Sequence, residues 1–323
     1  MDTNLQASRA ARILTIQCGR VRAAVIARWR SVVGGSYRTI CSPGVNALVV
    51  MALLLVCGGF ALAQSAPTLS WLDRATITRS SQPNWVTPLI TASANLEEAV
   101  IYDTSRKLLP AGAPPLVTAG GPRGVQFVPF GKLQITVGAT PYLFHNNPKA
   151  YDGFGDTSFA FKYRVASGNS RHGDFALSAQ MGASMPTGSY RNGQPSATLT
   201  PNLLAEKAWG PLAMQSTLGA TLPLGDTRLT GRQFISNTAF QARLHRIFWP
   251  ELEVNAIAFD GGPTDGKKQV FLTPGLLVGR FRTTPSSGLV FGIGMQIAAS
   301  EYHTYDHSLL FSVRLPLQSH PHR

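Results

Sequence analysis

The 323-residue chain carries 29 lysines and arginines against 16 aspartates and glutamates, a net charge of +13 with only 14% charged residues. A soluble domain holds about 25% charged residues and a disordered chain is polar and highly charged, so neither description fits. Only one stretch approaches the roughly 20 apolar residues of a spanning helix, which excludes a helical membrane bundle, and 31 glycines in a chain so poor in charge lean towards β structure.

Residues 1–45 contain seven arginines (Arg9, Arg12, Arg20, Arg22, Arg28, Arg30, Arg38) and one acid, Asp2. An apolar run, Ala47–Ala63, follows and ends in Ala61-Leu62-Ala63. A basic segment, an apolar segment and a small-x-small site are the parts of a secretory signal peptide, so residues 1–63 read as an extended n-region and signal, cut near Ala63/Gln64. Two alternatives are a retained anchor and a lipoprotein signal at Cys57, where the preceding Val56 is larger than such a signal takes. Losing seven arginines and one aspartate lowers the charge from +13 to +7, so much of the basicity belongs to the address and does not argue for nucleic acid. Cys18, Cys41 and Cys57 all precede the cut. The exported part then has no cysteine, which suits a disulfide-free chain outside the cytoplasm and excludes thiolate catalysis and cysteine zinc sites. Residues 64–95, with Pro67, Pro83 and Pro88 and weak alternation, read as a periplasmic lead-in.

From residue 96 to 317 the period is 2, the signature of strands. Runs are predicted near 97–107, 122–131, 132–143, 156–165, 174–184, 198–208, 211–222, 233–245, 248–259, 269–282, 289–298 and 308–317. In one of them Phe159, Phe161, Tyr163 and Val165 alternate with Ser158, Ala160, Lys162 and Arg164. Soluble strands average five or six residues, whereas a tilted membrane strand needs about 9–11. Most of these runs reach ten. One face is apolar and the other mixes Gly, Ala and Ser with single charges, the pattern of a transmembrane barrel, whose closure leaves no unpaired edge in lipid. The fold class is therefore all-β, an antiparallel transmembrane barrel of about 12 strands. A soluble periplasmic β-barrel binding protein is the alternative, and it calls for shorter strands and a more charged exterior.

Joints differ in length along the chain. Trp209-Gly210-Pro211 and Phe248-Trp249-Pro250 are tight, while Pro186–Ser196, Gly225–Arg232 and Asp260–Lys268 are long and polar. Short turns on one side and long loops on the other are the outer-membrane arrangement. Trp209, Phe248 and Trp249 at turns, with Tyr302 and Tyr305 in a loop, fit an aromatic girdle. The segment 318–323 follows the last strand as a tail.

Several segments stand in a familiar order. Tyr142–Asn147 is followed by Asp152-Gly153-Phe154-Gly155-Asp156-Thr157 and the Lys162-Tyr163-Arg164 strand. Pro186-Thr187-Gly188-Ser189-Tyr190 opens a long loop, Phe248–Glu253 and Gly266–Val270 open strands, and Leu315-Pro316-Leu317 closes the last. Over residues 96–317 this set resembles the outer-membrane transporter proteins linked to the meta-pathway of phenol degradation. The resemblance implies a barrel in the outer membrane and uptake of small, often aromatic compounds. One departure is the last strand, which ends at Leu317 and not on an aromatic residue.

Candidate chemistry outside a barrel lumen is thin. His303, His307, His320 and His322 lack a ligand spacing, and Asp260 and Asp265 lack that of a calcium loop. Ser236 and His245 fall on opposite faces and about 30 Å apart along one run, too far for a nucleophile and its base. No enzyme, cofactor or metal is expected. By parity the inward set is Lys162, Arg164, Asp174, Gln180, Asn202, Glu206, Gln215, Asn237, Gln241, Arg243, Glu253, Asn255, Gln269, Gln296 and Arg314. These either line a polar path for small solutes or fill the interior as hydrogen-bonded packing. The function expected is a passive channel in the outer membrane for small, aromatic or hydrophobic solutes. The expected partners are membrane lipid, the solute and the barrel assembly machinery. The alternative is a structural or surface-interaction barrel with a plugged lumen.

Overall fold

The computed structural model describes residues 71–284 and 287–317; the expected signal peptide, the start of the lead-in (64–70) and the tail 318–323 lie outside them. The alternating runs become strands: β1 (Ala99–Leu108), β2 (Leu116–Phe130), β3 (Leu133–Phe144), a two-residue β4 (Gly153–Phe154), β5 (Thr157–Gly168), β6 (Phe175–Met185) and β7 (Thr198–Trp209). They continue as β8 (Leu212–Pro223), β9 (Arg232–Ala242), β10 (Phe248–Asp260), β11 (Lys268–Thr284), β12 (Ser287–Ala298) and β13 (His307–Pro316). A helix α1 (Trp71–Ser80) precedes them and a single turn α2 (Thr227–Thr230) lies between β8 and β9.

Neighbouring strands pair antiparallel, with β3 reaching past β4 to β5. The last strand then returns to the first, from Ala99↔Pro316 to Leu108↔His307, so the 12 long strands form a closed ring. Closure is what lets such a sheet sit in lipid, because every ladder group finds a partner. The strands run from 10 to 17 residues, enough to cross a hydrocarbon core of about 30 Å at a tilt. The outer face is apolar: Phe161, Leu203, Leu218, Phe234, Phe240, Phe291 and Phe311 are 45–62% exposed. A belt of that extent has no account in water and is the lipid-facing band of a transmembrane barrel.

The joints fall on two sides as expected. Gly131–Lys132, Gly210–Pro211 and 243–247 are short, whereas 109–115, 145–156, 186–197, 224–231, 261–267 and 299–306 are longer and lie at the other end. Ala99 and Pro316 both lie at the short-turn end.

Three sequence expectations need correction. The second strand begins at Leu116 and not near 122, because Gly120 and Gly121 break the alternation by carrying two register shifts against β3. At Gly120, φ is +95° and a Cβ would meet the Ala139 carbonyl oxygen at 2.8 Å, so the bulge needs glycine there. β9 stops at Ala242 since His245 and Arg246 take positive φ (47° and 62°) in the turn to β10. Asp174, with φ 48°, belongs to the turn before β6 and leaves the inward set.

Candidate functional site

The interior of the short-turn half is occupied by the chain itself. Residues expected as a lead-in ahead of the barrel instead pass from α1 into the lumen: between Gln82 and Leu96 all but Asn84, Ile90 and Ala92 are buried, and the segment then returns to β1. The segment is irregular, with no strand or helix of its own, so it has no period to read along the chain. Its backbone groups, removed from water, need partners from elsewhere, and the barrel wall supplies them.

Glu253 on β10 accepts from the backbone N–H of Ile90 (2.8 Å) and Thr91 (2.6 Å) and from the Thr91 hydroxyl (2.5 Å). Two residues earlier, and therefore on the same face, Glu251 accepts from the Leu89 N–H at 3.0 Å and from Gln241 Nε2 at 2.7 Å. Three strands round the ring, on β7, Glu206 accepts from Asn95 Nδ2 at 2.7 Å, and on β5 Lys162 Nζ donates to the Asn95 carbonyl at 3.0 Å. Gln215 donates to Val86 O, Thr217 to Ala92 O and Ser178 to Ala94 O. Arg314 donates to the carbonyls of Thr87 and Pro88, and Arg123, paired with Asp103 at 2.6 Å, also reaches Pro88 O. Arg164 donates to Thr78 O and Gln82 Oε1, holding the junction of α1 and the segment. Carboxylates meet N–H groups and cations meet carbonyls, so each buried charge has hydrogen-bonding partners.

An apolar corner completes the closure. Trp85, Val86 and Leu89 cluster with Ala208, Ala213, Trp249, Leu277, Val290 and Leu310. Trp249, expected in an aromatic girdle, is fully buried inside the barrel. Period 2 puts Phe248 and Trp249 on opposite faces, and only Phe248 and Trp209 look outward, 38% and 55% exposed.

The pairing register places the other inward candidates on the same face. Lys162, Gln180 and Asn202 stand abreast on β5, β6 and β7; Glu206 is opposite Gln215, Asn237 is opposite Asn255 and Gln296 is opposite Ser308. Gln180, Asn202 and Asn237 are half-buried and make no bond to residues 82–96. Arg243 lies at the short-turn end with its guanidinium 5.2 Å from the Trp85 ring centre. Glu251, Thr217, Ser178, Arg123 and Gln134, which accepts from the Glu97 N–H at 2.8 Å, were missed by sequence reasoning, although Glu251 shares the parity of Glu253.

Towards the long loops the wall turns mixed. Gln296 Nε2 donates to Asn255 Oδ1 at 3.2 Å, Thr304 donates to Gln269, and Tyr305 stacks on the inward Phe271 with ring centres 4.5 Å apart. Burial pushes the Tyr305 hydroxyl up to about 12, so it stays protonated and donates to Gln296 Oε1 at 2.6 Å. In the same loop both His303 nitrogens face oxygens, Ser300 O at 3.0 Å and Asp306 Oδ1 at 2.9 Å. Only the imidazolium donates to both, so first the Ser300 carbonyl and then Asp306 hold the His303 pKa above its ordinary value. The sign follows: the contact's contribution is complete below about pH 6.5, the ordinary histidine value, and fades as pH rises through the raised one. The protection factors of amides across 299–306, with the intrinsic base-catalysed rate divided out, are expected to be higher at pH 5.5 than at pH 8.5, and D306N is expected to remove most of that difference. Of the remaining histidine and aspartate candidates, Asp260 pairs with Arg232 at 3.1 Å, Asp265 accepts from the Gly261 N–H, and His320 and His322 lie outside the described residues.

Comparison with known proteins bears out the family resemblance. Residues 116–245 match the family described as "Putative MetA-pathway of phenol degradation", a stretch that opens on β2 and ends in the turn after β9. Among solved structures, an outer membrane channel from Pseudomonas putida F1 is 11% identical, with 72% of this chain and 99% of that chain covered and a TM-score of 0.49. The NanC porin is 7% identical, with 67% and 99% covered and a TM-score of 0.45. No curated protein matches the chain. The transmembrane barrel rests on the chain's own closed pairing and its two faces.

Proposed function

We propose that this twelve-stranded barrel is an outer-membrane channel for passive uptake of small solutes, aromatic and apolar ones included, whose lumen is closed at the short-turn half by residues 82–96. The observation that carries it is the two-sided wall: an apolar band faces lipid while the inner face is polar and bonds a segment that is not part of the sheet. A lumen filled by strand side chains alone would have to be rebuilt to open; one closed by a separate segment needs only that segment to leave. The match of residues 116–245 to the family described as "Putative MetA-pathway of phenol degradation" supports aromatic solutes. Lipid is the partner of the outer band, and the short turns and both ends of the sheet face the periplasm, as in bacterial barrels.

The filled lumen also favours a second reading, a structural or surface-interaction barrel that never conducts. Liposome swelling with graded neutral sugars and aromatic alcohols separates the two. Wild-type protein, or protein lacking residues 71–96, is expected to admit the smallest solutes faster than protein-free liposomes. If neither form admits any solute, the structural reading takes its place. Before that assay, SDS gels of the unboiled protein are expected to show a faster band than the boiled sample, the mark of a closed, detergent-resistant barrel.

A further inference from the structure

Three guanidinium groups converge where the segment enters the barrel. Arg280 Nη1 donates to Asn84 Oδ1 at 2.8 Å, and Arg79 Nη2 approaches the same oxygen at 3.4 Å. Arg243 stacks on Trp85, the next residue, and Arg280 stacks on Trp249, each guanidinium carbon 5.2 Å from its ring centre. Arg79 and Arg243 act on Arg280 as like charges, while Glu97 and Glu206 offset them in part. Among the described residues, none of the three arginines has a carboxylate within 4.0 Å, the ion pairs there being Arg123–Asp103, Arg232–Asp260 and His303–Asp306. The acceptor that Arg79 and Arg280 share is a neutral amide oxygen on an exposed residue.

Three like charges brought together in this way carry an electrostatic cost. Like charges in half-buried positions repel one another with little screening, and each guanidinium brings five N–H donors to a place offering few acceptors. Stacking on indole leaves a guanidinium's edge open, and that edge matches two oxygens of an oxyanion. A further donor in the same corner lacks an acceptor: Trp249 Nε1 is buried with no hydrogen-bond partner. Arg280 also holds φ at 59° in the bulge of β11, a conformation that a non-glycine residue keeps only where its surroundings impose it.

We propose that Arg79, Arg243 and Arg280 form a binding site for a small oxyanion, a carboxylate or phosphate group, at the short-turn mouth of the barrel. Arg280 belongs to β11, Arg243 to the turn between β9 and β10, and Arg79 to α1, so a bound oxyanion bridges the barrel and the segment that closes the lumen.

The test is titration of the full barrel in detergent at low salt with sodium benzoate and, separately, with inorganic phosphate. Binding is read by calorimetry and by Trp85 and Trp249 fluorescence, with sodium chloride at equal ionic strength as the control. Saturable binding of either probe beyond chloride is expected. It is expected to weaken about tenfold in R243Q and again in R280Q, one charge-assisted contact being lost each time. Benzoate alone binding identifies an organic carboxylate as the ligand, and both probes binding identifies a general oxyanion site. Both substituted barrels must keep the wild-type heat-shift on gels. Absence of saturable binding, or equal affinity in the folded R243Q and R280Q barrels, overturns the proposal. Binding in detergent needs no conduction, so a barrel that never conducts leaves this site standing.

Discussion

Removal of residues 71–96 is expected to raise the barrel's conductance in planar bilayers well above that of the wild type, in discrete steps. The ladder itself does not use those residues: ring closure runs through Ala99↔Pro316 and the other strand pairs, so the barrel remains while its contents leave. The vacated wall presents Asp103, Glu206, Glu251 and Glu253 against Arg123, Lys162, Arg164 and Arg314. Arg243 and Arg280 at the short-turn mouth stay as well, which makes six basic groups against four acidic ones, so the open pore is expected to favour anions modestly. Partners lost from the segment are replaced by water, so the wall charges carry little penalty once the lumen is wet. The truncated barrel is expected to melt at a lower temperature, since the cluster around Trp85 and Leu89 goes with the segment. A truncated barrel that still shows the heat-shift yet passes no current would count against the channel and for a closure higher up, near Phe271 and Tyr305.

How much of this was legible in the sequence differs between the wall and its contents. Alternation is a local property, so the strand faces could be read residue by residue: Lys162 and Arg164 inward, Phe159 and Phe161 outward, Gln215 and Glu253 inward. It failed where the backbone leaves the period, at the Gly120 bulge and the turns around Asp174 and His245. Residues 82–96 have no period because they form no regular element, and their partners lie more than 100 positions away in several cases, as with Leu89 and Glu251 or Asn95 and Glu206. One signal was present. Glu206, Glu251, Glu253, Lys162 and Arg314 are more charge than a dry interior holds unpaired, and opposite charges do not face one another across the predicted strands. Such a wall implies a partner, and a long irregular stretch before the barrel was the material at hand. The Arg79–Arg243–Arg280 convergence was beyond reach, because it joins a helix, a turn and a bulge.

The largest single-residue effect is expected at Leu89 and the glycines that receive it. A Cβ at Gly275 or Gly294 would lie 2.5 Å from Leu89 Cδ1, and one at Gly292 would lie 2.7 Å from Leu89 Cδ2. Gly275 pairs with Gly294 across β11 and β12, so three small residues on adjoining strands make a recess that one side chain from the segment fills. Leu89→Ala empties the recess and is expected to cost about 2–5 kcal/mol, while Gly294→Val overfills it at about 1–3 kcal/mol. Valine is the better strand residue, so the wall alone is expected to gain slightly from Gly294→Val, and the net loss must come from displacing Leu89. Two measurements separate the segment from the wall: trypsin cleavage after Arg79, and bilayer conductance. Each single variant is expected to raise both, whereas the heat-shift stays as in the wild type. In the L89A/G294V pair the valine occupies the space the leucine gave up, and cleavage and conductance are expected to fall back towards wild type. Additive losses in the pair would mean that the two side chains do not meet and that the recess does not hold the closure.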